Sequence, residues 1–232
     1  MNSVALWAIV AIAPLVVLTL TSFVKLSIVL SLLRNAIGAP DAPSGLVVTG
    51  IALVLTFFVM SPVAIDMVHA AAAPAVVAPG GAPGAAPGDS APAPGSVDEA
   101  VRQLVPAQYK PQVDAAERAL VPLRVWLGKH AASADKDTFV GLAKRLGKDV
   151  KGDELWVLAP AFIASELREA FAIAVLLFLP FLVIDLVVAL GLASLGLQST
   201  SPQTIALPFK LLLFVAVDGW RLLLESMLRG YA

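Results

Sequence analysis

Ser201–Met227 reads SPQTIALPFKLLLFVAVDGWRLLLESM, an apolar run long enough to cross a hydrocarbon core but interrupted by Lys210, Asp218, Arg221 and Glu225. Taken as one helix at ~100° per residue, these four positions fall within about 80° of one another and form a stripe of alternating sign. A charge at the bilayer centre costs roughly 3 kcal/mol or more, so the stripe predicts protein or water on that side rather than lipid. The segment therefore asks for partner helices.

The rest of the chain agrees with a membrane setting. It is 59% hydrophobic and 14% charged, with a net charge of −1, outside the usual composition of a globular domain. Asn2 to Val24 and Leu46 to Ile65 carry no charge, and Ala170 to Leu197 carries only Asp185. Each reaches the ~20 apolar residues that span a bilayer. With the striped segment these make four long apolar helical segments, and the expected fold is an all-α integral membrane protein. Every segment contains or abuts a proline: Pro14, Pro62, Pro180 and Pro208. Proline removes a ladder donor, so Pro62, Pro180 and Pro208 predict kinks held by neighbouring helices. Ser27 with Ser31, and Ala189 with Ala193, are small residues spaced for close helix packing.

Four domains are expected: a first helical hairpin over 1–68, an Ala/Pro/Gly linker over 69–97, a small helical insert over 98–157, and a second helical hairpin over 158–232. The linker has too few large apolar side chains to offset the entropy of ordering. The insert holds most of the charge: Asp98 to Glu154 contains 19 of the 33 charged residues. Val113, Ala116, Leu120, Leu123 and Leu127 predict a helix interrupted at Pro122. A second is predicted over Thr138 to Leu146, with Asp137 as N-cap and Gly147 just past its end. Lys25, Arg34 and Lys210 lie beside the short connections, and the positive-inside rule places those connections in the cytoplasm. The insert and both termini then face the periplasm. The first basic residue is Lys25, so Met1 to about Leu33 reads as a retained helix rather than a cleaved signal.

Several functions are excluded by what the sequence lacks. No basic run suggests nucleic acid as a partner. Cysteine is absent and His69 and His130 stand far apart, so no metal, cofactor or catalytic set is expected, and the chain is read as a non-enzyme. The chemistry lies in the charges. Asp185 has no cation within one helical turn, so its partner is Lys25, Lys210 or the same residue of an adjacent copy. Asp218, Arg221, Glu225 and Arg229 are spaced for an internal ladder as well as for contacts between subunits. A monomeric proton-coupled transporter would also explain Asp185 and Pro180, but the two halves show no inverted repeat. A membrane anchor for the insert leaves the stripe unexplained.

TSFVKLSIVLSLLRNAIG (Thr21 to Gly38), LVVTGIALVLTFFVMSPV (Leu46 to Val63), LAPAFIASELREAF (Leu158 to Phe171), LPFLVIDLVVAL (Leu179 to Leu190) and TIALPFKLLLFVAVDGW (Thr204 to Trp220) together resemble the FliP/SpaP/YscR family. These are membrane proteins of the type III secretion export gate of flagella and injectisomes. The resemblance implies a homo-oligomer, pentameric in the family, joined by two smaller membrane subunits. It also implies a location in the bacterial inner membrane and a conduit for unfolded proteins. Where family members carry a methionine gasket, this chain has Leu197, Gln198 and Ser199 after Gly196. That leaves Leu197 as the apolar member of the implied constriction. Ala172 and Ala174 replace the family's glycine and glutamine. The resemblance does not separate flagellar from injectisome systems.

Overall fold

A computed structural model describes residues 18–38, 44–73, 110–148, 150–197 and 199–231. The start of the first apolar segment with Pro14, nearly all of the Ala/Pro linker, and Gln198 lie outside them. Among the described residues all regular structure is helical: α1 (Phe23–Ile37), α2 (Gly45–Ala72), α3 (Lys110–His130), α4 (Ser133–Arg145), α5 (Leu155–Ser194), α6 (Pro202–Ala216), α7 (Gly219–Leu228) and a closing 3₁₀ turn, Arg229–Tyr231. The chain divides into two compact units, Met1–Ser61 with Trp126–Ala232, and Pro62–Val125.

Among the described residues two helices have the length and apolarity to cross a bilayer: α2, with mean hydropathy 2.3, and α5, with 2.9. The core helix of a soluble protein would meet the same test but would be covered. Only 22% and 11% of their most apolar windows are buried, so the fold leaves these surfaces bare. α5 has 40 residues, about 60 Å at 1.5 Å per residue, twice the ~30 Å hydrocarbon thickness. It starts at Leu155, well before the apolar segment expected from Ala170. It also runs unbroken past Pro160 and Pro180, as α2 runs past Pro62 and α6 past Pro208.

α1 packs chiefly on α5, which also carries α4 and α6. The buried positions of α1, Lys25, Leu26, Val29, Leu30, Leu33 and Ala36, recur at three- and four-residue spacing and define one face. All of them except Lys25 join Val48 and Ala52 of α2, Ala170 and Phe181 of α5, Phe214 of α6, and Leu223 and Met227 of α7 in one apolar cluster. α1 ends where Gly38 adopts φ 86° and returns its N–H to the Asn35 carbonyl, the common left-handed helix stop.

Three sequence expectations need correcting. α3 is continuous through Pro122, because losing one ladder bond does not outweigh a helix that seals Leu123, Trp126 and Leu127. α4 begins at Ser133, not Thr138, and Asp137 lies within it. Its first turn is set by a tertiary contact, since the Ala132 N–H donates to Ser165 Oγ at 2.8 Å where a local side-chain cap would otherwise be needed.

The third correction concerns the striped segment, which is two helices. Asp218 sits in the left-handed region, with φ 51° and ψ 51°, a conformation that aspartate tolerates better than most residues. The break is fixed by packing. A Cβ on Gly219 would collide with ring carbons of Phe214, and that ring packs between Phe181 and Trp220. Lys210 and Arg221 consequently do not share one charged face. Lys210 is 4% exposed, whereas the Arg221 side chain is 73% exposed.

Gly219→Ala is expected to destabilise the protein by about 1–3 kcal/mol, the usual penalty for overpacking a filled site. Thermal unfolding in detergent measures this, and a variant that melts with the wild type would show that the Phe214 ring is not a fixed obstacle.

Candidate functional site

Charged groups in an apolar fold must find partners, since burying an ion away from water is costly unless it is paired and hydrogen-bonded. Among the described residues two buried sites do so, and the first centres on Lys25. Its residue is 1% exposed. Lys25 Nζ lies 2.8 Å from Glu169 Oε2 and 3.5 Å from Glu166 Oε1, and 3.8 Å from the centroid of the Tyr231 ring. The phenol of Tyr231 donates to Glu166 Oε2. Burial, with the Glu166 carboxylate beside it, holds the Tyr231 hydroxyl well above the usual phenol range, so it stays a donor. Space is tight: a Cβ on Gly230 would fall 3.1 Å from Lys25 Nζ and 3.2 Å from Glu169 Oε2.

The same turn of α5 grips α4. Asp135 accepts from Ser165 Oγ at 2.7 Å and from the Arg168 guanidinium. The Ser165 hydroxyl, aided by Arg168 and opposed by desolvation, holds the Asp135 carboxyl below the usual carboxylate range. The five residues SELRE, Ser165 to Glu169, therefore bind α4 through positions 165 and 168, and α1 with the C-terminal turn through 166 and 169. Next to them Trp126, His130, Phe162 and Tyr231 form an aromatic cluster. His130 Nδ1 is 2.8 Å from the Trp126 carbonyl, which can only accept, so this nitrogen carries the proton. Burial pushes the His130 ring below its ordinary value.

The second site lies where α1, α5 and α6 meet. Lys210 Nζ donates to Asp185 Oδ2 at 2.7 Å and to the Ala36 carbonyl at 3.0 Å. Asp185 and Lys210 are thus brought together within one chain, while Lys25 is committed to Glu166 and Glu169. A recess of ≈ 280 Å³ opens here, lined by Asn35, Ala36, Gly38, Phe178, Asp185, Gln203 and Lys210. Asp185 Oδ1 has no hydrogen-bond partner among the described residues.

The other anticipated residues lie apart from both sites. Arg221 Nε pairs with Glu225 Oε1 at 2.9 Å on an exposed face of α7, and Asp218 is exposed at the helix break. Arg34 lies beside the start of α2, where a side chain on Gly45 would begin 3.6 Å from a guanidinium nitrogen. Gly196 has φ 71°, Leu197 is 47% exposed, Ser199 is exposed, and Gln198 is not among the described residues. Glu166, Glu169, Tyr231, Asp135, Ser165 and Arg168 were not anticipated as partners. The available signal was SELRE itself, where charges one helical turn apart interrupt an apolar run.

The sequence model described as the FliP family matches residues 6–81 and 90–227. The chain is 41% identical over 221 residues to the flagellar biosynthetic protein FliP of Pectobacterium carotovorum subsp. carotovorum, covering 94% of this chain and 73% of that one. It is 37% identical over 227 residues to the hypersensitivity response secretion protein HrcR of Ralstonia nicotianae, covering 96% and 93%. It is 33% identical over 235 residues to the Yop proteins translocation protein R of Yersinia pestis, covering 99% and 95%.

Because the Asp135 carboxyl is depressed in the fold, its stabilisation is complete above the unfolded value of about 3.9. It is lost as pH falls through the lower folded value. Unfolding followed from about pH 6 to about pH 3 should show a component of acid sensitivity that Asp135→Asn removes. Parallel curves for the two proteins would contradict the assignment.

Proposed function

Because the chain belongs to the FliP family, we propose that it is an inner-membrane subunit of a type III protein export gate, forming with copies of itself a conduit for unfolded flagellar or effector proteins. The observation that carries this reading is the contrast within α5. Its polar turn is consumed by contacts inside the chain, while the most apolar window of the same helix is 11% buried. A monomer bathed in lipid would accept that bare surface, but it gives no use to the length of α5 beyond the ~30 Å of hydrocarbon. Sister helices packed side by side use both.

In this assembly the four apolar segments form two hairpins, 1–68 and 158–232, and the charged stretch over 98–157 is a periplasmic insert joined through the Ala/Pro/Gly linker over 69–97. Five copies surround the conduit and join two smaller membrane subunits. The turn Gly196 to Ser199 lies at the constriction, with Leu197 as its apolar element; one leucine repacks around passing chains less freely than flexible methionine does. The exposed Arg221–Glu225 pair on α7 and Asp218 are available to set register against a neighbour. The Lys210–Asp185 pair fixes α6 on α5.

Native mass determination of the full chain, extracted in mild detergent after co-expression with its companion membrane subunits, tests this. A defined homo-oligomer of five copies is expected. A stable, export-competent single copy would exclude the conduit reading.

A further inference from the structure

The recess at Asp185 is built for one more hydrogen-bond donor than the chain supplies. A carboxylate offers about four acceptor positions, and here Lys210 Nζ occupies one of them, on Oδ2. Oδ1 is enclosed with no donor among the described residues, yet the Asp185 side chain keeps 30% exposure. Rotation about χ2 exchanges the two oxygens. The C-terminal end of α1, at Ala36 and Gly38, lines the same recess, and its carbonyl end favours cations. Asn35 and Gln203 add side-chain amides. Each liquid water takes about 30 Å³, so a recess of ≈ 280 Å³ has room for a planar guanidinium and its stem.

A matching donor sits on the other side of the same helix turn. Arg34 Nε is enclosed without a hydrogen-bond partner among the described residues. One of its guanidinium nitrogens lies beside the first turn of α2, the positive end of a helix, which disfavours a cation. At ~100° per residue Arg34 is about 200° from Ala36 and about 100° from Asn35, so of the α1 residues that line the recess these two are turned away from Arg34, while Gly38 lies past the helix end. Both features sit at the same height along α1. A head-to-tail association, the kind that closes into a ring, needs two different complementary patches on each copy at matched height.

We propose that Arg34 of one copy enters the Asp185 recess of the next, so that the carboxylate bridges Lys210 of its own chain and the guanidinium of its neighbour. The guanidinium fork suits a carboxylate better than a lysine ammonium does. This rests on the oligomeric reading above and adds to it a contact pair and a direction around the ring.

The natural chain contains no cysteine, so a single introduced thiol is unique. One tagged copy carries Ser31→Cys, one turn before Arg34 on the same face, and a second, differently tagged copy carries Gln203→Cys. Both are co-expressed with the companion subunits and treated with a short thiol cross-linker. A mixed-tag product is expected. In parallel, Arg34→Gln should lower oligomer yield by tenfold or more, with Arg34→Lys intermediate, while circular dichroism shows both variants folded. Oligomers that form without the mixed product, or an Arg34→Gln variant that assembles like wild type, would overturn the pairing and leave the export-gate reading intact. Normal assembly of Arg34→Gln with loss of co-purifying anionic lipid would assign the guanidinium to a phosphate headgroup and overturn it as well. Failure of the wild-type chain to oligomerise at all would remove the export-gate reading and this pairing together.

Discussion

Lys25 is the point on which the rest of the fold turns. An ammonium sealed from solvent inside an apolar helix bundle is tolerable only when surrounding groups replace the water it gives up. Here two carboxylates and the face of an aromatic ring do so, and they come from two distant parts of the chain. Meeting that one requirement pins α1 to the polar turn of α5 and draws the last residues of the chain, Gly230 and Tyr231, onto the same spot. Ser165 and Arg168 alternate with the two glutamates along SELRE, so the same turn also holds Asp135 and the start of α4.

Helices this apolar have little reason to prefer one another over lipid tails, and polar contacts between them supply orientation where burial alone does not. The two interior charge clusters divide that work along α5. The Lys25 cluster fixes its polar end, and the Lys210–Asp185 pair fixes α6 some sixteen positions further on. Beyond these, the most apolar surfaces of α5 and of α2 remain uncovered within the chain. The broken segment at Asp218 separates a buried cation, Lys210, held by Asp185, from an exposed one, Arg221, paired with Glu225.

Much of this was legible in the sequence, and the failures have definite causes. Long runs with at most one charge located α2 and the apolar part of α5, because a lipid-spanning helix needs about 20 apolar residues; the first helix, expected over Met1 to about Leu33, is described instead as Phe23–Ile37, and residues 1–17 lie outside the described residues. The charge at Asp185 asked for a cation but left Lys25, Lys210 and an adjacent copy open; within the chain, the packing of α6 on α5 brings Lys210 to it. The break at Asp218 was hidden because DG after an apolar run also fits a continuing helix; what decides it is the Phe214 ring occupying the space beside Gly219. The early start of α4 was hidden for a related reason, since its first turn is stabilised by Ser165, 33 positions away. Pairing Lys25 with Glu169 across 144 positions lies beyond any local pattern, although two glutamates one turn apart in an apolar run did mark the place.

The most direct test of this account is a double-mutant cycle between Lys25 and Glu166, read as unfolding stability in detergent. Lys25→Met alone strands two carboxylates and should cost about 3–5 kcal/mol, the penalty for breaking a buried pair. Adding Glu166→Gln should restore a large part of it, because the buried charge that was left unmatched is then gone. Losses that simply add, or a Lys25→Met variant as stable as wild type, would contradict the claim that this buried cation and its partners hold the fold together.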